Sequence, residues 1–301
     1  MRVLAIGECM AEMAPTKSDG EFRLGFAGDT FNTAWYMARC APDLDVAYFT
    51  ALGDDPLSRR MAAFMADSGV DGRHVRIVPG RTVGLYLISL AKGERSFSYW
   101  RGQSAARALA DDPTALRAAI ARADLIYFSG ITMAILSPVG RAALLDGLRT
   151  ARAEGRTVAF DPNLRPALWA PEAEMTRAIT DAAATCDIAL PSFEDEATWF
   201  ADATPDATAR RYLAAGATTV AVKNGPGPVL YVHGSERGEV AVAAVQDPVD
   251  TTAAGDSFNA GLLTRLAVGA PIAQAVAAGC ALAQAVVRQR GALVPIDPDT
   301  I

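Results

Sequence analysis

The chain has 301 residues, 51% of them apolar and 21% charged, with 28 Lys+Arg against 34 Asp+Glu and a formal net charge of -6. That composition belongs to a folded globular chain, and at this length roughly 75% of the unfolded surface is buried, so the core needs neither disulfides nor a structural metal. An acidic balance without a Lys/Arg cluster excludes nucleic acid as a partner, because neutralising phosphates takes a basic face.

The first strand is predicted in VLAIG (residues 3–7), and the apolar run that ends there is too short for the core of an export signal. A helix follows in FAGDTFNTAWYMARCA (26–41), then a strand in VAYFTALG (46–53). TVGLYLISL (82–90) and RSFSYWR (95–101) are neighbouring strands joined by the turn AKGE (91–94), an antiparallel hairpin in an otherwise alternating chain. DLIYFSG (124–130), TVAFDPN (157–163), CDIALPS (186–192) and TTVAVKNG (218–225) are further strands, separated by Ala-rich amphipathic segments. A second hairpin is expected from PVLYVHG and GEVAVAAV across Ser235-Glu236-Arg237, and two helices close the chain near 254–268 and 271–289. The apolar stretch 272–287 is interrupted by Gln274 and Gln284 and is shorter than the ~20 residues of a membrane span, so it reads as a buried helix and no membrane partner is expected. Alternating strands and helices predict a mostly parallel sheet between helical layers. With no repeat or linker, residues 1–301 are expected to form one α/β domain, with a small β lid formed from about 12–26 and 75–104.

Side-chain chemistry narrows the function. Cys9, Cys40, Cys186 and Cys280 stand singly among apolar neighbours with no C-x-x-C, as buried thiols do in a reducing cytoplasm. His74 and His233 have no neighbours at metal-ligand spacing, and no G-x-S-x-G occurs, which sets aside His-rich metal centres and Ser-His-Asp hydrolases. AIGECMAE after the first strand lacks G-x-G-x-x-G, which counts against a nucleotide-binding dehydrogenase.

The most informative segment is DPVDTTAAGDSFNAGLL (247–263), where Ala253-Ala254-Gly255 leads into a helix with Phe258, Leu262 and Leu266 on one face. Amides of Ala254, Gly255 and Asp256 at such a helix start would face an anion, with no bulky side chain to obstruct it. Asp256 beside that site is placed to take a proton from a hydroxyl. The plainer reading of an isolated A-G-D is a helix-start acid favoured by the dipole. In FAGDTFN, Gly28, Asp29 and Asn32 would converge on a polar ligand, or Asp29 or Thr30 would only cap the helix.

Together these strings resemble the two signatures of the ribokinase/PfkB family of sugar kinases, D-T-x-G-A-G-D-x-F-x-x-G and G-G-D-x-x-N-x-A. Asp250, Thr251, Ala254, Gly255, Asp256, Phe258 and Gly261 match the first, with Ala253 in place of Gly; Gly28, Asp29 and Asn32 match the second, with Ala27 in place of Gly. Ala is tolerated at 253 if its φ is negative. The resemblance spans nearly the whole chain and implies the ribokinase-like three-layer αβα sandwich, with ATP and Mg²⁺ as cofactors and Ala253, Ala254, Gly255 and Asp256 as the catalytic segment. It also implies Asp250, Ser192, Lys223, Gly225 and Gly227 near the nucleotide, Asp195 near magnesium through water, and a monovalent cation such as K⁺ near Asp250 and Thr252. Ser192 and Asp195 stand where the family often has N-x-x-E; a helix cap followed by dipole-favouring acids explains them equally well.

Within the family, Tyr86 in GLYLI, Tyr99-Trp100-Arg101 with Ser104-Ala105-Ala106, and Arg165 in FDPNLRPALW are most similar to the kinases of 2-keto-3-deoxygluconate. A sugar acid offers a carboxylate that a planar guanidinium grips through two charge-assisted hydrogen bonds. Arg101 and Arg165 are therefore the expected clamp, with Tyr86 and Tyr99 completing the polar contacts. Edge-strand residues and a surface ion pair are the plainer readings of the same side chains. A kinase of fructose or another neutral sugar is the nearest alternative, and an idle sugar-binding regulator a more distant one. Phe97 and Trp100 offer a face to a second copy of the chain or pack on the lid's inner side.

Overall fold

The computed structural model describes residues 1–18, 20–91, 94–243, 245–297 and 300–301; Lys92 and Gly93 of the expected turn lie outside them. The chain opens with β1 (Arg2–Ile6), β2 (Met10–Pro15), β3 (Phe22–Ala27), α1 (Asp29–Cys40), β4 (Asp45–Phe49), β5 (Ala51–Leu52) and α2 (Pro56–Asp67). It continues with β6 (Arg76–Ile77), β7 (Leu85–Ala91), β8 (Glu94–Trp100), α3 (Pro113–Ile120), β9 (Leu125–Ser129), α4 (Gly130–Ile135), α5 (Pro138–Ala153), β10 (Thr157–Asp161) and α6 (Glu172–Ala183). It ends with β11 (Ile188–Ala189), α7 (Phe193–Phe200), α8 (Pro205–Ala215), β12 (Thr219–Val222), β13 (Val229–His233), β14 (Glu236–Val240), α9 (Ala254–Ala267) and α10 (Ile272–Val286).

Eight strands form the main sheet in the order β14-β13-β12-β11-β10-β9-β1-β4. From β4 to β12 the pairs are parallel, and β13 and β14 add an antiparallel edge. The period of two sends alternate side chains to opposite faces. Leu4, Ile6, Ile126, Phe128, Val158, Phe160, Val220 and Val222 enter one core with α3, α5, α6 and α8. Val3, Ala5, Leu125, Tyr127, Ala159 and Ala221 enter the other, with α1, α2, α9 and α10. Both faces of the sheet are covered, which is why its strands read as continuous apolar runs. Three layers result. The last hairpin turns tightly at Gly234-Ser235, so Glu236 and Arg237, expected in the turn, pair with Val232 and His233 instead.

A second sheet, in the order β3-β2-β7-β8, stands off the first. Its small core is Met10, Tyr86 and Ile88. Residues 75–84, expected in the lid, belong to the body: Arg76 and Val78 donate backbone bonds to Thr50 and Leu52, where the edge of β5 is open to pairing. The lid strands begin at Met10 and Leu85.

The sheet order reverses at β1, whose neighbours are β4 on one side and β9 on the other. In open α/β sheets the crevice outside the carboxyl ends of the strands at such a point is where ligands bind. Among the described residues no helix is long and apolar enough to cross a membrane. The buried α10 packs its apolar length on the body.

Candidate active site

The loop into α9 is held before the helix begins. Asp250 accepts the Thr252 N–H at 3.0 Å through one carboxylate oxygen and the Gly291 N–H at 2.7 Å through the other. Ala253 then takes φ 60°, ψ 16°, the left-handed region, and not the negative φ at which Ala is freely tolerated. A Cβ in that region costs about 1–2 kcal/mol. The surroundings enforce it: the Ser257 N–H and hydroxyl both return to the Ala253 carbonyl, at 2.9 and 2.8 Å. Of the three amides expected to face an anion, that of Ala254 is instead bonded to the Thr251 carbonyl at 3.2 Å. Gly255 and Asp256 supply the first-turn donors, which have no acceptor within the helix.

Asp256 is buried and accepts a 2.8 Å hydrogen bond from Asn32 Nδ2. Asn32 is itself held at the start of α1, its N–H donating to the Gly28 carbonyl at 2.7 Å and its Oδ1 accepting the Gly28 N–H at 3.2 Å. Only glycine fits at 28, since a Cβ there would collide with the Glu8 carbonyl oxygen. Thr33, one residue on, donates to the Asp256 carbonyl at 3.1 Å, so a side chain of one signature segment also holds the backbone of the other. Burial, then the neighbouring Asp29 charge, pushes the Asp256 carboxyl up to about 7, against the pull of the Asn32 bond and Lys223. Asp29 is also raised, chiefly by burial, and accepts a 2.9 Å bond from Asn163.

These groups open into a cleft of ≈ 570 Å³. Its walls include Gly28, Asp29, Asn32, Asp250, Asp256 and the Ala253–Gly255 segment from the body, and Met10, Tyr86, Phe97 and Tyr99 from the lid sheet. Ser192, Asp195 and Lys223 line it too. Burial raises the Asp195 carboxyl, which Arg165 draws back down.

Residues 1–299 match the pfkB family carbohydrate kinase. The chain belongs to that family. It is 40% identical over 306 residues to the 2-dehydro-3-deoxygluconokinase of Dickeya dadantii, covering 98% of this chain and 97% of that one. It is 39% identical over 304 residues to the enzyme of the same name from Escherichia coli K12, again covering 98% and 97%. Among solved structures, the PfkB protein from Polaromonas sp. JS666 superposes with a TM-score of 0.84 at 30% identity, covering 95% of this chain and 96% of that chain. The fold described above is therefore the ribokinase-like one, and the protein is a carbohydrate kinase.

The kinase does not bring all of the expected site residues into its cleft. Arg165 lines it, 52% exposed at the side chain and 4.0 Å from Asp195. Arg101 does not: it is buried at the root of the lid in an ion pair with Glu8, a partner that no motif in the sequence points to. Tyr86 faces the cleft with its hydroxyl donated to Glu12, and Tyr99, 54% exposed, stands beside it. Gly225 and Gly227 sit in the turn between β12 and β13, outside the cleft lining. Ser192 occupies the cap position of α7 without a side-chain capping bond. Asp250 spends its carboxylate on two backbone amides, which makes it a brace for the loop.

The sequence motifs miss one cleft group, Asp161, and the buried Asn259 that holds it. Asp161, at the end of β10, accepts from Lys223 Nζ at 3.1 Å and from Asn259 Nδ2 at 2.7 Å, and Lys223 also reaches Asn259 Oδ1 at 3.3 Å. A signal for Asp161 is present in Asp161-Pro162-Asn163 at a strand end, where a proline stops the ladder and leaves both polar side chains at the crevice. Asn259 sits one helical turn beyond Asp256 on the same face of α9. No group of three Asp, Glu, His or Cys among the described residues could hold a metal by itself. Such a donor set fits magnesium that arrives on nucleotide phosphates and keeps most of its waters.

Ala253→Gly is expected to relieve the left-handed strain. Set against glycine's greater freedom in the unfolded chain, the net gain is about 0.5–1 kcal/mol, read as a higher urea midpoint with an unchanged slope.

Proposed function

We propose that the kinase transfers the γ-phosphoryl group of ATP to the C6 hydroxyl of 2-keto-3-deoxygluconate, the compound also called 2-dehydro-3-deoxygluconate, giving 2-keto-3-deoxy-6-phosphogluconate. The observation that carries the chemistry is a buried carboxylate, Asp256, held by the sugar-segment Asn32 at a helix start that offers two amides. The relatives at 39–40% identity, both named for that substrate, support the choice of sugar.

Asp256 accepts the hydroxyl proton as the C6 oxygen attacks in line. The Gly255 and Asp256 amides face the transferring phosphoryl oxygens, and the Lys223 ammonium stands 3.5 Å from where a side chain on Gly255 would begin. Positioning and electrostatic stabilisation dominate phosphoryl transfer, because its transition state is loose. Magnesium bound with ATP supplies shielding of the phosphate charge. Asn32 and Asp29 orient the sugar, Tyr86 and Tyr99 close over it from the lid, and Arg165 takes the carboxylate end.

Asp256→Asn is expected to lower kcat by roughly 10²–10⁴. The same variant resists unfolding at pH 8 at least as well as the parent, since a neutral amide removes a buried charge that the fold stabilises poorly. The acid limb of the kcat profile should lie near the raised value of about 7. Asp29→Asn removes a like charge, favours ionised Asp256, and so moves that limb to lower pH; a limb that stays put sinks the base assignment.

Arg165→Ala should raise KM for the sugar acid about 10-fold or more while leaving KM for fructose within about threefold. The check is coupled ADP release with 2-keto-3-deoxygluconate, its galactonate epimer, fructose and ribose. Equal effects on acid and neutral sugars, or a parent that prefers fructose, would point to a neutral-sugar kinase.

A further inference from the structure

The lid joins the body through four connections: residues 7–9 into β2, Gly28 after β3, residues 78–84 into β7, and residues 101–104 after β8. All four meet at Glu8. It lies in the first of them, its backbone carbonyl packs against Gly28, its Oε1 lies 2.7 Å from the position of a Cβ on Gly84, and its Oε2 pairs with Arg101. Ala11 N–H donates to the Gly84 carbonyl at 2.8 Å, locking the first and third connections together beside the pair.

The pair is dry and incompletely used. The Glu8 side chain is 0% exposed and that of Arg101 9%. Glu8 Oε1 and Arg101 Nε are both buried without a hydrogen-bond partner among the described residues, and so is Ser104 Oγ in the fourth connection. A guanidinium and a carboxylate can make two parallel bonds, so this ion pair is engaged through one of the two it can form. Leaving buried donors and acceptors unmade is unfavourable, so the pair holds an unused bonding capacity at the lid root.

We propose that Glu8 is a positioning residue for capture of the sugar: its carboxylate, gripping Arg101 where all four lid connections meet, sets how the lid stands over the cleft. Glu8 touches no reacting atom; it acts through Arg101 and through the strands that carry Tyr86 and Tyr99 to the sugar. The inference rests on the kinase reading and on the lid lining the cleft, and not on which sugar is bound. Its consequence is capture of the sugar and exclusion of water, because a lid that stands wrongly admits water to the phosphoryl group.

The test compares the parent with Glu8→Gln, which keeps a hydrogen-bond acceptor and loses the charge, and with Gly84→Ala, whose new Cβ would stand 2.7 Å from Glu8 Oε1 and 3.1 Å from both Arg101 Cβ and Met10 Cγ, so that the Glu8–Arg101 pair must shift. Each is assayed with whichever sugar of the panel the parent phosphorylates fastest, so a wrong sugar assignment shows in the parent alone and leaves the effect of Glu8 readable. Cooperative unfolding is checked for both. In both variants KM for the sugar should rise about tenfold, sugar-free ATP hydrolysis should rise at least threefold, and kcat at saturation should stay within threefold. Parental KM and parental hydrolysis overturn the proposal. So does a fall in kcat at unchanged KM, which would put Glu8 at the reacting atoms. If Glu8→Gln does not fold, Gly84→Ala alone decides by the same criteria.

Discussion

Of the carboxylates that line the cleft, Asp29, Asp161 and Asp256 stand close enough to shift one another, and how the Lys223 ammonium and the neighbouring amides are shared among them governs the site. Asp161 takes Lys223 directly and Asn259 besides. Asp29 has the Asn163 amide. Asp256 is left with Asn32, a neutral donor, in a buried position. Like charges in a poorly solvated space cannot all ionise freely, and at Asp256 burial and the Asp29 charge outweigh the pull of Asn32 and Lys223. That is the group poised near neutrality, and it is the one at the helix start. In the role proposed for it, Asp256 accepts a proton more readily than the same Asp would in water.

The cost of such an arrangement falls on folding, and the scaffold absorbs it. Asp29, Asp161 and Asp256 come from the start of α1, the end of β10 and the start of α9, three elements that meet because the strand order reverses at β1. Tyr127, on β9 beneath them, accepts from Asn259 of α9 at 3.1 Å and its hydroxyl lies 3.3 Å from that of Thr33 of α1, and so ties the two helix starts to the sheet from below. Ala253 adds backbone strain where the chain must turn sharply to present the α9 amides. Crowded charge and a left-handed alanine lie within a few residues of each other, where function outranks local stability.

What can be read in the sequence is what is local. DTTAAGD and GDTFN each mark a helix start by neighbouring residues, so the two starts follow from spacing, whereas the Asn32–Asp256 bond that joins them spans 224 residues and does not. The strands are legible because both sheet faces are covered, which gives runs of uniform apolarity. The Asp161–Lys223 pair joins residues 62 apart, and Arg101 meets Glu8 across 93. No periodicity in one segment reports such pairings. For that reason spacing and resemblance put Lys223 near the nucleotide but not opposite Asp161, and they put Arg101 in the cleft when a carboxylate elsewhere in the chain already holds it. The φ of Ala253 is likewise out of reach: the side chain present gives no sign that the loop, braced by Asp250 against Gly291, forces it left-handed.

The different settings of Arg101 and Arg165 bear on how an acidic chain would handle the proposed sugar acid and the phosphates of ATP. A net charge of -6 opposes them only at long range, and at physiological salt that field fades over about 8 Å. Within that distance the local groups decide: two amides at the start of α9, the ammonium of Lys223, and an exposed guanidinium at Arg165. Arg101 is kept out of this set by Glu8, so its charge is spent on the lid root. The kinase thus leaves one arginine where a ligand can reach it and buries the other at the lid root, so two residues of the same type stand in opposite electrostatic settings.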